Sequence, residues 1–485
     1  MIGFFRKLLK DRRGNALVIA GAALPLIVGA AGLANDTIQW TLWKRQLQRA
    51  ADSAALAGAY DRVNADGGTS TAAAAVTHDL SINLHTKMAL LSNPVVKFDA
   101  DCPVTNSGNA EDRVCVTVQV QQRLPFSSLF MRTAPVIVAN ATAAAIPTGG
   151  SPCFFAKETG TLTGLNFTGN AGIEAPDCDG FSNASGTNTS AANGSSNVQL
   201  NTIGGVGGIQ QSNNFHVSAY RPYSTALSDP FADINPDASD MHCAVAGTTT
   251  TTTVTVVDSA EQGHWKQQGN HQVWVVDRPA VTHTETRSTT SYTPVGLSDG
   301  VDITTLKDAS GNQANCFTDL RVGSNTTLTI PSTYTGPIYI NGGDAFIQGN
   351  FSCAACTIVL TNKDSASPIG NIKVNASTNL NMSPPLSGTY QGIAIFQDRR
   401  ASDCNNCNKI NGNSGSIIQG AIYFPSQELE YNGTGNTAAQ CTMFVGRRLN
   451  FSGNSTTTNK FKKLADCGAF GLPDGGTTLI VRLIA

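Results

Sequence analysis

The stretch Arg12–Tyr60, RRGNALVIAGAALPLIVGAAGLANDTIQWTLWKRQLQRAADSAALAGAY, decides how the rest of the chain is read. Ala16 to Ala34 carries no charge over 19 residues. A helix of that length covers about 28 Å, close to a hydrocarbon core of roughly 30 Å, so it can span a bilayer. Arg6, Lys7, Lys10, Arg12 and Arg13 precede the run, opposed only by Asp11, whereas Asn35 and Asp36 follow it. This bias predicts a cytoplasmic basic tail over residues 1–15, a span over 16–34 and export of everything beyond. Trp40 and Trp43 fall just outside the run, where amphipathic rings favour the boundary between lipid and water. Pro25 in mid-span is compatible with a membrane helix, which can satisfy its backbone around a kink.

Beyond the span, Trp40, Trp43, Leu47, Ala50, Ala54 and Ala57 recur at spacings of 3, 4, 3, 4 and 3, a coiled-coil-like stripe of fewer than three heptads. Its small alanines allow close approach of another element. The spacing leaves two readings open: a partner helix, or this chain's own next domain.

The order of RRGN, an apolar run containing Leu-Pro, Gly32-Leu33-Ala34-Asn35-Asp36 and then Ala50-Ala51-Asp52-Ser53-Ala54-Ala55-Leu56-Ala57-Gly58-Ala59 resembles the N-terminal segment of the TadE/TadG-like family of tight-adherence (Flp) pilus-assembly proteins. Length favours a TadG-type member over the shorter TadE-like pseudopilins. The resemblance implies inner-membrane anchoring, periplasmic exposure, a non-catalytic part in pilus assembly, and other pilus-assembly proteins as partners, among them pseudopilin-like and secretion-apparatus components. Two processing alternatives remain. Gly32-Leu33-Ala34 resembles a signal-peptide cleavage site, but the apolar run is longer than such an h-region and a helical pattern continues past it. Cleavage by a prepilin peptidase after Gly14 would look for glutamate where this chain has Ile19.

Net charge is −2 and 14% of residues are charged, which disfavours nucleic acid as a partner because phosphate binding needs clustered Lys and Arg. All twelve cysteines lie beyond the span: Cys102, Cys115, Cys153, Cys178, Cys243, Cys316, Cys353, Cys356, Cys404, Cys407, Cys441 and Cys467. An even count in an exported region reads as up to six disulfides, with connectivity left open except that Cys102 and Cys115 bracket a turn and suit a local bridge. The CxxC pairs 353/356 and 404/407 have zinc-ligand spacing, but export exposes their thiols to oxidation. A redox CxxC should open a helix, whereas Phe351 to Leu360 looks like a strand. No cofactor and no metal are expected.

In chain order, a helix-like run covers Thr71 to Leu91, and Val95–Phe98, Arg113–Gln121 and Pro135–Ile146 read as strands, with Val114, Val116, Val118 and Val120 on one face. This predicts a pilin-like α+β domain over residues 35–147. After the linker PTGGSP, isolated apolar residues recur in a Gly, Asn, Ser and Thr background over 148–211, and the texture returns over 313–485. Short strands at intervals of roughly 8–12 residues, with Asn able to ladder at the bends, predict a mainly β fold built as a right-handed parallel β-helix. A β-sandwich is the alternative.

Residues 212–312 read as an irregular insert and the leading candidate for an interaction surface. Its segment VTVVDSAEQGHWKQQGNHQVWVVD suggests a hairpin with a polar tip, and its histidines, His216, His242, His264, His271 and His283, fit no compact ligand motif. A lyase or polysaccharide-binding role is the competing function, since β-helix grooves can hold envelope polysaccharide. It would need paired carboxylates, and acids are sparse outside the cluster Asp398-Arg399-Arg400.

Overall fold

A computed structural model describes residues 15–64, 69–84, 89–102, 111–147, 152–413, 415–433, 437–439, 441–453, 456–459, 467 and 479–484. The basic tail, linker residues 148–151 and His85 lie outside them. Mainly β structure follows two helices among the described residues: α1, Asn15–Asn64, and α2, Thr69–Asn83.

Helix α1 is one rod of about 75 Å at 1.5 Å per residue. Its second half lies on an antiparallel sheet whose strands β1 (Val95–Phe98), β2 (Glu111–Gln121) and β3 (Val136–Pro147) are joined by Leu479–Leu483, in that order. The pleat sends Val114, Val116, Val118 and Val120 of β2, with Ala139, Ala141, Ala143 and Ala145 of β3, to the face that meets the helix, and all eight are buried. Small residues oppose small residues. A Cβ added at Gly58 would come within 2.7 Å of Val76 Cγ2 and 3.0 Å of Val114 Cγ1, so α1, α2 and β2 converge at that glycine. Arg62, buried at the helix end, closes the domain by bonding Asp99 at 2.8 Å and Asp112 at 3.3 Å.

The strand Leu479–Leu483 falls in the span expected to belong wholly to the distal domain. It returns to the proximal sheet instead, because β3 would otherwise be an open edge and Val481 completes the apolar face.

The distal unit is a stack of parallel ladders. Leu297 pairs with Leu320, Leu320 with Ala345 and Ala345 with Ile372, steps of 23, 25 and 27 residues. Every ladder within the stack is parallel, unlike the antiparallel pairing of the sandwich alternative. Rings repeat from level to level: Phe154 on Phe444, Phe167 on Phe451 and Phe396 on Tyr423 stack at 5.3, 5.3 and 5.0 Å. Asparagines also bond from level to level, as Asn166 to Asn450 at 3.1 Å, but this pair sits within the paired strands Leu165–Phe167 and Thr442–Ser452 and not at a bend.

Stack order is not chain order. The level holding Thr442–Ser452 pairs with Pro152–Ala156 and Leu165–Phe167, so the early strands lie beyond the late ones. They continue through Phe215–Arg221, which pairs in parallel with Asn197–Gly205 and therefore extends the stack past the boundary expected at 211. The chain must then travel from that end of the stack back to Leu297 at the other. Residues 222–244 make this journey as a strap, touching successively Asn183, Tyr423, Arg399, Lys363 and Asn315. Cys243–Cys316 fastens its far end, and the remaining bridges are 102–115, 153–178, 353–356, 404–407 and 441–467.

Replacing Gly58 by leucine should overpack the point where the two helices meet the sheet and cost about 1–3 kcal/mol or more. Denaturant unfolding followed by a proximal-domain probe checks this; an unchanged midpoint would contradict the packing described.

Candidate functional site

The residues singled out in the sequence fall in three regions. The first is the outer half of α1. Val18, Ile19, Leu24, Leu26, Ile27 and Val28 are all exposed, and only 6% of the most apolar window is covered by protein. Leaving one such side chain in water costs roughly 1.5–3 kcal/mol relative to burying it. Covering all six would release free energy comparable with the whole stability of a typical domain. By length and composition this helix is a candidate membrane span, with Ala16, Pro25 and Ala34 along it.

The stripe beyond it divides. Leu47, Ala50 and Ala54 are buried against the chain's own sheet, which takes the face that a partner helix would need; Trp40, Trp43 and Ala57 are half-buried. The own-domain reading is therefore the one these residues occupy.

The second region is an arm. Val245–Ser259 pairs antiparallel with Val281–Pro294, and Gln262–Gln268 continues with His271–Arg278 to a two-residue turn at Gly269 (φ +65°) and Asn270. Both ribbons are two-stranded and nearly every residue is exposed. At 3.4 Å per residue the arm extends on the order of 80 Å. Trp265 and Trp274 meet edge to face at 5.3 Å near its tip and both remain exposed. The two edges differ: Val281–Pro294 carries His283, Glu285, Arg287 and a terminal proline, whereas Val245–Val257 has no charge and no proline. The second edge lacks the devices that usually block strand addition.

Sequence spacing anticipated the hairpin tip, but not the ribbon below it, where the threonine tract shows no apolar alternation. Two of the arm histidines pair with acids, His264 with Asp277 at 2.8 Å and His283 with Asp258 at 2.7 Å, while His242 at the strap's end bonds Asp308 at 3.0 Å. The Asp308 carboxyl is held down at about 2, chiefly by hydrogen bonds from Asn312. No cluster of three metal-binding side chains occurs among the described residues.

The third region is the strap's seat. Asp398, buried, accepts bonds from Thr361 and Arg400, both at 2.7 Å. Arg399 instead reaches the strap, donating to Ile234 O at 2.9 Å, Asn235 Oδ1 at 2.8 Å and the Phe231 carbonyl. Asp229 completes the clamp with Lys157 at 2.5 Å and the Tyr423 hydroxyl at 2.6 Å. Burial pushes the Asp229 carboxyl up, but hydrogen bonds from Lys157, Tyr423 and the Phe231 N–H outweigh it and hold the group below its ordinary value. Burial and the bond to Asp229 push the Tyr423 phenol up. Other acids of the later strands are engaged as well: Glu428 with Arg448, Glu430 with Lys409, and Asp403 with Arg447 and Arg448. Beside the strap's end lies a cavity of about 660 Å³ lined by Asp240, His242, Tyr339, Leu386 and Tyr390.

Residues 14–62 match the family model described as putative Flp pilus-assembly TadE/G-like. The TadE/G-like segment thus coincides with α1, from the start of the apolar run to the arginine that closes the proximal domain. No curated protein and no solved structure matches the chain, and the stack and arm lie outside the TadE/G-like segment.

Because its folded-state pKa is depressed, Asp229 stabilises the clamp fully above the unfolded aspartate value of about 4, and this is lost as pH falls through the folded value. Asp229→Asn should therefore cost about 2–3 kcal/mol at pH 7, by leaving Lys157 and Arg399 half-buried without a counter-charge. The variant should also lose less stability than the parent between pH 5 and pH 2. Urea unfolding at several pH values checks both; parallel pH curves for parent and variant would exclude Asp229 as a contributor.

Proposed function

We propose that this chain is a non-catalytic, membrane-anchored scaffold of a tight-adherence (Flp) pilus-assembly system. Helix α1 spans the bacterial inner membrane once with its basic end in the cytoplasm. The stack, which we read as a right-handed parallel β-helix, stands in the periplasm as a spacer. The arm is the surface offered to other pilus-assembly proteins, whether pseudopilin-like or part of the secretion apparatus. One observation carries this reading: the TadE/G-like match falls on the helix whose apolar half has almost no cover among the described residues. The form of the rest supports it, since the stack is a stiff body fastened to that helix through β3 and Leu479–Leu483, with an exposed ribbon at its far end.

A second reading takes the 660 Å³ cavity as a seat for envelope polysaccharide, because it sets two tyrosine rings beside a carboxylate and an imidazole. Binding of isolated envelope polysaccharide that is lost in Leu386→Asp would favour it over the scaffold.

The scaffold reading is tested by excising residues 246–293 at the arm's base, where Cys243–Cys316 already holds the chain to the stack. The shortened protein should remain membrane-bound and fully disulfide-bonded, while surface pili and pilus-mediated adhesion fall at least tenfold. Normal piliation would remove the arm from assembly, and normal piliation in a strain lacking the whole protein would end the pilus reading.

A further inference from the structure

The loop Arg123–Arg132, RLPFSSLFMR, joins β2 to β3 and packs beside the anchor helix. Its centre is a compact turn: Phe130 N–H donates to Ser127 O at 3.0 Å, Met131 N–H to the same oxygen at 2.8 Å, and the Ser128 hydroxyl to Pro125 O at 2.8 Å. Two contacts fix it to α1. The Ser127 N–H donates to Asp36 Oδ2 at 2.6 Å, an aspartate only 1% exposed, and the Phe126 ring lies so close to Gly32 that a Cβ there would meet it at 2.1 Å. Gly32 and Asp36 mark the end of the apolar run. The loop therefore sits at the height where the helix would leave the hydrocarbon.

At that height the loop turns apolar side chains outward. Leu129, Phe130 and Met131 are 75%, 68% and 43% exposed. They follow directly in sequence on Phe126 and Ser127, which touch Gly32 and Asp36 at the end of the uncovered run, and Arg123 and Arg132 flank them, joined by a 2.7 Å bond from Arg123 Nη2 to Arg132 O. Among the described residues, Leu129 and Phe130 leave most of their surface uncovered and Met131 nearly half. A turn that buries its serine amide on a carboxylate and exposes leucine, phenylalanine and methionine is built to place them, because a soluble turn would carry the opposite pattern.

We propose that Leu129, Phe130 and Met131 insert into the outer-leaflet interface of the membrane that α1 spans, with Arg123 and Arg132 reaching the lipid phosphates. The occupant is lipid, because the turn that carries the patch is fixed to Gly32 and Asp36 at the end of the span and its charges are those that snorkel towards anionic headgroups. The consequence is orientation. A lone helix lets its cargo swivel and tilt, whereas a second contact set to one side of the helix fixes the rotation of the proximal domain, and through β3 the direction of the stack and arm. This proposal rests on the membrane-span reading.

The test uses the full-length chain in nanodiscs of phosphatidylethanolamine and phosphatidylglycerol, with the photo-reactive residue benzoylphenylalanine introduced singly at Phe130, Ile27 or Leu162. After irradiation, mass spectrometry should find lipid adducts at Phe130 and Ile27 in comparable yield and none at Leu162, an exposed residue on the stack. Adducts at Ile27 with none at Phe130, or a Phe130 adduct to a second protein chain, overturn the loop proposal while leaving the span intact. No adduct at Ile27 removes the span reading and the proposal with it.

Discussion

One helix has to satisfy two environments. The first half of α1 presents valine, isoleucine and leucine outward with almost no cover from the described residues, while the second half presents alanine and glycine to a sheet that can approach only because those residues are small. The two halves are one continuous rod, so whatever fixes the apolar half fixes the sheet. The close fit at Gly58 and the pin from Asp36 to Ser127 make that coupling stiff. Removing either contact would loosen the link between anchor and cargo without touching the stack.

Rigidity continues outward by a second device. The stack is entered and left in its middle, since the early strands beyond residue 152 pair with the late ones near 445, and the chain closes back on β3. That topology obliges residues 222–244 to run the length of the stack as a strap. The strap is held by packing and by charge together: Leu227, Phe231, Met241 and Ala244 are buried in the core of the stack, Asp229, Lys157, Arg399 and Tyr423 form the central clamp, and Cys243–Cys316 the terminal one. The arm then leaves from the stapled end, where its leverage on the stack is resisted by a covalent bond.

Local pattern carried much of this in the sequence. The charge-free run to Ala34, the valine alternation of β2, the Cys102–Cys115 bridge and the hairpin tip at Gly269 all follow from near neighbours in the sequence. What escaped was long-range. Leu479–Leu483 pairs with a strand more than 300 residues earlier, Cys243 with a cysteine 73 residues on, and Asp229 with arginine 170 residues away, and no periodicity encodes such partners. The stripe from Trp40 to Ala57 was legible as a packing face, but its spacing is the same whether the opposing surface is a helix or a sheet. For Leu47, Ala50 and Ala54 the answer lay in the alanines of β3, whose register becomes visible only once the sheet is formed.

The central claim is that α1 is a permanent tether with the whole β structure on the far side of the membrane. Alkaline phosphatase fused after Ile484 tests it most directly, because the enzyme is active only once exported. High phosphatase activity that stays with alkali-washed membranes is the expected result. An inactive fusion, or activity released from the membrane by the wash, would contradict the account.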